Sequence, residues 1–146
     1  MSELDDFVTS MLGRQTDAER ALVGGDPEPR LAITSRQEPV TVFGAKVLLR
    51  CGWDDVSDTL RWLSRGWSNP TAYRFDLVAA GLSGDLAYIV GFEHIANSVV
   101  GVPVEPYTLR VTHVFRREDG EWKIAHRHAN SVPADQTLPD TPEETG

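Results

Sequence analysis

Residues 112–130 read THVFRREDGEWKIAHRHAN. At the centre, Glu118-Asp119-Gly120-Glu121 carries Asp-Gly, a strong short-range signal for a two-residue hairpin. Residues of opposite character alternate on either side, as in strands with one buried face. The turn predicts two antiparallel strands with Phe115 opposite Ile124 and His113 opposite His126. The stretch also holds three of the four histidines, His113, His126 and His128. Its register therefore decides both the sheet and whether these imidazoles meet.

Working back from this hairpin, Val100-Gly101 predicts a second two-residue turn. It pairs Phe92 with Leu109, Val90 with Val111 and Tyr88 with His113. Ser83-Gly84 predicts a third, pairing Ala79 with Tyr88, Leu77 with Val90 and Phe75 with Phe92. The strands lie near 72–81, 86–99, 103–117 and 121–129. Paired residues share a face. One face then carries Tyr73, Phe75, Leu77, Ala79, Tyr88, Val90, Phe92, His94, Leu109, Val111, His113, Phe115, Trp122, Ile124, His126 and His128. The other carries Arg74, Asp76, Glu93, Thr108, Arg110, Thr112, Arg116, Lys123 and Arg127. A three-residue turn or a bulge would reverse this assignment beyond it.

Upstream, Leu4, Phe7, Val8, Met11 and Leu12 recur at helical spacing, with Ser2 as N-cap and Glu3, Asp5 and Asp6 in the first turn. A second apolar set, Ala18, Ala21, Leu22 and Val23, runs to the breaker Gly24-Gly25-Asp26-Pro27. A short helix follows at Pro29–Thr34, then a strand at Pro39–Gly44. Val56, Leu60 and Leu63 place a helix over 53–65, closed by Gly66. The class is α+β. N-terminal helices must cover the apolar face of a curved antiparallel sheet. Such a cone, open at one end, suits a small molecule. The expected organisation is one domain over 1–130 and an acidic, proline-rich, disordered tail over 131–146.

The formal net charge of -8 disfavours nucleic acid and an anionic membrane surface as partners. A single cysteine, Cys51, allows no intrachain disulfide and fits a reducing compartment. No apolar run is long enough to span a bilayer, and MSELDDFVTSML lacks the basic start of a signal peptide. The expected location is cytoplasmic.

The order of helix, short helix, short strand, helix and four long strands resembles the nuclear-transport-factor-2-like superfamily. The ending YTLRVTHVFRREDGEWKIAHRHAN resembles its SnoaL-like branch and is similar to the association domain of calcium/calmodulin-dependent kinase. The resemblance spans roughly residues 3–130. It implies a cone-shaped, cystatin-like α+β roll, a hydrophobic pocket between sheet and helices, a homodimer through the sheet, and no cofactor. Relatives include ketosteroid isomerase, polyketide cyclases, an epoxide hydrolase, dehydratases and proteins without catalysis. The resemblance therefore does not imply one chemistry; the leading expectation, if the protein is an enzyme, is cofactor-independent isomerisation, cyclisation or dehydration of a hydrophobic substrate. The competing class is a ligand-binding or oligomerisation module. The Tyr–Asp–Asp set of ketosteroid isomerase is absent from the expected inward face. So is the Asp–Arg–Asp set of the epoxide hydrolase, because Arg110 and Asp76 are expected to point outward.

On the expected inward face, His113 and His126 form a candidate acid/base pair, with Tyr88 as phenol donor. The competing reading is a hydrogen-bonded patch of wall. Trp53, Tyr73, Phe75, Phe92, His94, Val111 and His128 are candidate ligand-lining residues. His113, His126 and His128 have spacing for zinc, but no cysteine or firm carboxylate joins them, and no metal is expected. Asp54 or Asp55 is placed to orient an imidazole. Glu93 is expected outward beside Arg110. A bulge turning it inward would make it the best general base on the sheet.

Overall fold

Ser2 begins α1 (Glu3–Val23) with a reciprocal cap: its hydroxyl accepts from the Asp5 N–H, and the Asp5 carboxylate accepts from the Ser2 N–H. The computed structural model describes residues 2–133 and 135–138. The two apolar sets seen in the sequence form one helix. Phe7, Met11, Gln15, Ala18, Glu19, Leu22 and Val23 make its buried face. The Gly24 N–H bonds back to Arg20 and Ala21 and ends it. Helix α2 (Glu28–Ala32) has Pro29 in its first turn. Helix α3 (Trp53–Arg65) ends at Gly66 and buries Val56 and Leu60.

The strands are β1 (Thr41–Phe43), β2 (Arg50–Cys51), β3 (Trp67–Ser83), β4 (Leu86–Val99), β5 (Val102–Pro103), β6 (Tyr107–Glu118) and β7 (Glu121–Ser131). Their order is β2-β1-β7-β6-β4-β3, with β5 on β4. Only the β1–β7 pair is parallel. Strand β2 was not anticipated; its two residues pair with β1 and carry no period of their own. The helices pack on the concave face of this curved, unclosed sheet. The expected tail from residue 131 lies largely outside the described residues, although Ser131 still belongs to β7. No helix among the described residues is long and apolar enough to cross a membrane.

One-residue irregularities shift the expected faces. Asp119-Gly120 forms the expected turn, with Glu118 opposite Glu121 and Phe115 opposite Ile124. The register then slips at Ala125, so His113 pairs with Arg127 and Val114 with His126. Val100-Gly101 also forms its turn, with Val99 opposite Val102. Residues 104–106 then absorb one extra position, because Ser98 faces Pro103 whereas Ile95 faces Tyr107. The third turn sits at Gly84-Asp85, one residue later than expected, and a bulge follows at Val78.

The concave face consequently carries Tyr73, Phe75 and Leu77 from β3; Ala87, Ile89, Gly91, Glu93 and Ile95 from β4; Leu109, Val111, His113 and Phe115 from β6; and Trp122, Ile124, Arg127 and Ala129 from β7. Gly91 is required there: a Cβ would stand 2.2 Å from the Asp76 carbonyl and 2.7 Å from the Phe75 ring. Tyr88, Val90, Phe92, His94, His126 and His128 are on the convex face, and Glu93 and Arg127 on the concave one, the reverse of the expectation.

Candidate functional site

The concave space has three zones. At the closed end, Phe7 meets the edges of Phe115 and Trp122, both at 5.1 Å, within a core that includes Met11, Ile89 and Ile124. At the open end lies a cavity of about 370 Å³. Its walls are mainly apolar, with Leu22, Val42, Val56, Leu60, Trp67 and Leu109 among them. Between the two stands a set of charges, the buried Glu19, Arg30 and Glu93 with the largely buried Arg127, all of which also line the cavity.

Each of these side chains is placed by its element. Glu19 follows Gln15 by one turn on the buried face of α1. Arg30 is held by α2, with its guanidinium bonded to Glu19 and to the Thr34 hydroxyl. Glu93 is inward because of the irregularity at 104–106, and Arg127 because of the bulge at Ala125. Arg127 grips Glu93 with two hydrogen bonds, Nη2 to Oε1 at 2.8 Å and Nη1 to Oε2 at 3.3 Å. The Tyr73 hydroxyl donates to Glu93 Oε2 at 2.6 Å. Arg127 Nη1 also stands 3.5 Å from Glu19 Oε2. One guanidinium therefore lies between two carboxylates.

His113 sits behind Arg127. Its Nε2 is 3.1 Å from Arg127 Nη1, and its Nδ1 is 2.8 Å from Gln15 Oε1. An arginine can only donate, so Nε2 accepts and the Nδ1–H donates to Gln15. Burial, with Arg127, Arg30 and His126 adding to it, drives the His113 pKa well down and keeps the ring neutral. His113 thus holds Arg127 and does not reach the cavity wall.

The two carboxyls are driven apart. Burial raises the Glu19 pKa, and the nearby Arg127 and Arg30 offset this only in part while the Glu93 charge adds to it. Burial opposes ionisation at Glu93 too. There the Arg127 guanidinium and hydrogen bonds from Arg127, Tyr73 and Glu19 outweigh it and hold the carboxyl below its ordinary value. Such a split marks which group moves a proton and which stays charged. Glu93 is a weak base with both oxygens engaged. At Glu19 burial favours the neutral carboxyl, and its Oε2 stands 3.5 Å from Arg127.

The other expected site residues fall elsewhere. His126 bonds Thr41 at 2.7 Å and packs with His128 around Phe43 on the convex face. His94 bridges Asp76 and Thr108 there, each at 2.9 Å. Tyr88 covers Gly81 on the same face and is 44% exposed. Phe92 is convex as well. His113 and His126 thus occupy opposite sides of the sheet and cannot act as a pair, and the imidazoles do not converge on a metal. Tyr73, Phe75 and Val111 are concave. Tyr73 reaches Glu93, Phe75 lies over Gly91, and Val111 is fully packed. Trp53 packs beside the cluster of Leu22, Val42, Val56 and Leu60, under the Arg36 guanidinium at 4.5 Å. Asp54 and Asp55 start α3, and Asp55 accepts from the Cys51 N–H instead of meeting an imidazole.

Sequence reasoning missed Glu19, Arg30 and Tyr107. Glu19 had a signal: Gln15 and Glu19 continue the spacing of Phe7 and Met11 into positions a packed helix would fill with apolar residues. Tyr107 shares the face of Leu109 by simple alternation. Arg30, in a helix of five residues, had none.

A family model described as the SnoaL-like domain matches residues 36–135. The chain belongs to the SnoaL-like domain family. Solved structures agree on this SnoaL-like fold. A protein of the NTF2-like family from Streptomyces avermitilis, proposed to be a dehydratase, has a TM-score of 0.72 at 22% identity, covering 89% of this chain and 99% of its own. A proposed type II calcium/calmodulin-dependent kinase association domain from Thiobacillus denitrificans gives 0.64 at 17%, over 89% and 93%. A proposed ketosteroid isomerase from Parabacteroides distasonis gives 0.62 at 18%, over 85% and 86%. No curated protein matches the chain. Within this SnoaL-like fold, the carboxylate–guanidinium–carboxylate row is the charged feature that borders the cavity.

Proposed function

We propose that this SnoaL-like protein takes a small hydrophobic molecule into its cavity and performs cofactor-free proton transfer on it, of the isomerisation, cyclisation or dehydration type. Glu19 moves the proton. The supporting observation is the pair of buried carboxyls with opposite pKa shifts, sharing Arg127 beside a mainly apolar cavity. Arg127 stays charged and stabilises negative charge as it develops in a water-poor site. Glu93 and Tyr73 keep the guanidinium in place. Glu19 alternates between acid and base, which a raised carboxyl does best near neutral pH. With a single, unpaired cysteine, the reading is of a cytoplasmic protein.

The test is turnover of a panel of cyclic ketones, β-hydroxy ketones and hydroxylated aromatics in D₂O, followed by NMR. Product formation or deuterium wash-in by the wild type should fall by about 10²- to 10⁴-fold in Glu19→Gln. A folded wild type that turns over no member of the panel ends the catalytic reading.

The convex face supports a second reading, self-association through the sheet. Phe43 and Tyr88 are 42% and 44% exposed there, beside the half-buried Val90 and Phe92. Tyr88→Glu should lower the sedimentation coefficient of a dimer. A wild type that sediments as a monomer at all concentrations excludes this reading.

A further inference from the structure

Tyr107 begins β6 directly opposite Ile95 and two residues before Leu109, which puts it on the concave face. Its ring is half-buried, packs against the cluster of Ile95, Leu109 and Ala129, and lines the cavity. Most of the other buried polar groups of the wall are already bonded, and Ser131, which also lines it, is exposed. Glu19, Arg30, Glu93 and Arg127 bond within their own network, and the Thr59 hydroxyl accepts from Arg50. Lys46 and Glu105 line the cavity too but are exposed. The Tyr107 hydroxyl has no hydrogen-bond partner among the described residues, nor is it sealed from access like the two side-chain atoms that are both buried and unpaired, Gln15 Nε2 and Asn97 Oδ1. Burial and the Glu93 charge keep the phenol protonated, so it is a donor.

We infer that Tyr107 is the residue that recognises the ligand, donating its O–H to a single accepting oxygen on an otherwise apolar molecule: a ketone, enone or ester carbonyl. A ligand rich in hydroxyls is disfavoured, because the mainly apolar wall offers its further donors few free partners. The inference rests on the cavity being the ligand site proposed above. It does not need Glu19 to be catalytic.

The experiment uses Tyr107→Phe, which keeps the ring, with three matched probe pairs: 1-tetralone and tetralin, 2-decalone and decalin, cyclohexanone and cyclohexane. Binding is read from tryptophan fluorescence, since Trp67 stands in the wall. The carbonyl stretch of each bound ketone is read by infrared spectroscopy. The wild type should bind ketone about three- to tenfold tighter than hydrocarbon, the range expected for one hydrogen bond. Its bound carbonyl stretch should lie at lower frequency than in Tyr107→Phe. The variant should lose the preference yet bind hydrocarbon as the wild type does, which controls for folding. Glu19→Gln should retain the preference. An unchanged preference and carbonyl frequency in Tyr107→Phe overturn the inference, as does a folded wild type that binds no ketone of the three. If the preference follows Tyr107 but no substrate turns over, the catalytic reading falls and this one stands.

Discussion

Phe7 and Met11 share a face of α1 with Gln15 and Glu19, about two turns further along. Near Phe7, the concave space closes with Phe115, Trp122 and Ile124. Near Glu19, the same space is filled by two carboxyls, two guanidiniums, a phenol and an imidazole. Both zones lie between the same layers, but the first is closely packed and the second borders the cavity. The first is what folding alone selects. In the second, ions have been withdrawn from water, and their mutual attraction at best balances that desolvation. An apolar filling would serve the fold as well, so stability alone does not account for the charges. The two zones should therefore respond to mutation in different ways.

The largest expected effects separate them. Arg127→Met leaves Glu93 buried without its counter-charge and should destabilise by about 3–5 kcal/mol. Phe115→Ala should also cost about 3–5 kcal/mol, from lost transfer energy and a cavity. Combining Arg127→Met with Glu93→Leu and Tyr73→Phe should recover most of the first loss in urea unfolding, because no unpaired charge then remains. No apolar substitution of Phe115's neighbours should recover the second without refilling its volume. If the triple variant stays as unstable as Arg127→Met, the charged zone is structural and the contrast is wrong.

A smaller effect comes from pH, with opposite signs at two residues. The folded Glu19 carboxyl is raised, so its contribution to stability is fully present below its unfolded value near 4.5 and is lost as pH rises through the folded value. Glu19→Gln should therefore gain on the wild type above that pH. His113 is depressed, so its contribution is present above its unfolded value near 6.5 and is lost as pH falls towards the folded value. This group alone should remove up to about 1.4 kcal/mol per pH unit below 6.5. His113→Gln, which can still accept from Arg127, should flatten that slope. Urea midpoints from pH 4.5 to 8 check both, and a wild-type slope unchanged in His113→Gln would mean the ring already titrates when folded.

The smallest effects belong to the convex imidazoles. His126→Ala and His128→Ala should each change stability by about 0.5 kcal/mol or less, as surface substitutions do. Neither should alter ketone binding. A loss of binding in either variant would show that the convex face communicates with the cavity.

The sequence carried most of the fold, because its signals are local. Ser2 and Asp5 announce a cap, Gly66 ends α3, and Asp119-Gly120 and Val100-Gly101 make their turns. Alternation along β6 placed Leu109, Val111, His113 and Phe115 correctly. The site was less legible for one reason: parity is not local. Each strand's face is inherited through every turn and bulge before it. The bulge at Ala125 involves no glycine, the one at Val78 is marked only by a lone Gly91 on the facing strand, and the irregularity at 104–106 looks like ordinary loop. The shift at 104–106 moved Tyr88, Phe92 and His94 out and Glu93 in, the bulge at Ala125 moved His126 and His128 out and Arg127 in, and the bulge at Val78 returned Tyr73, Phe75 and Leu77 to their expected face. Glu19 was readable from helical spacing alone. Arg30 was not, since five residues carry no period.

The bulge at Ala125 has a consequence for how such a cavity changes over generations. His126, Arg127 and His128 are adjacent in the chain but face opposite sides, so the ladder acts as a two-position selector. Losing one residue at Ala125 would exchange the guanidinium for two imidazoles without altering any of the three codons. A lineage can thus trade one whole set of inward groups for another by a single insertion or deletion, a step that comparison of aligned residues alone would record as conservation.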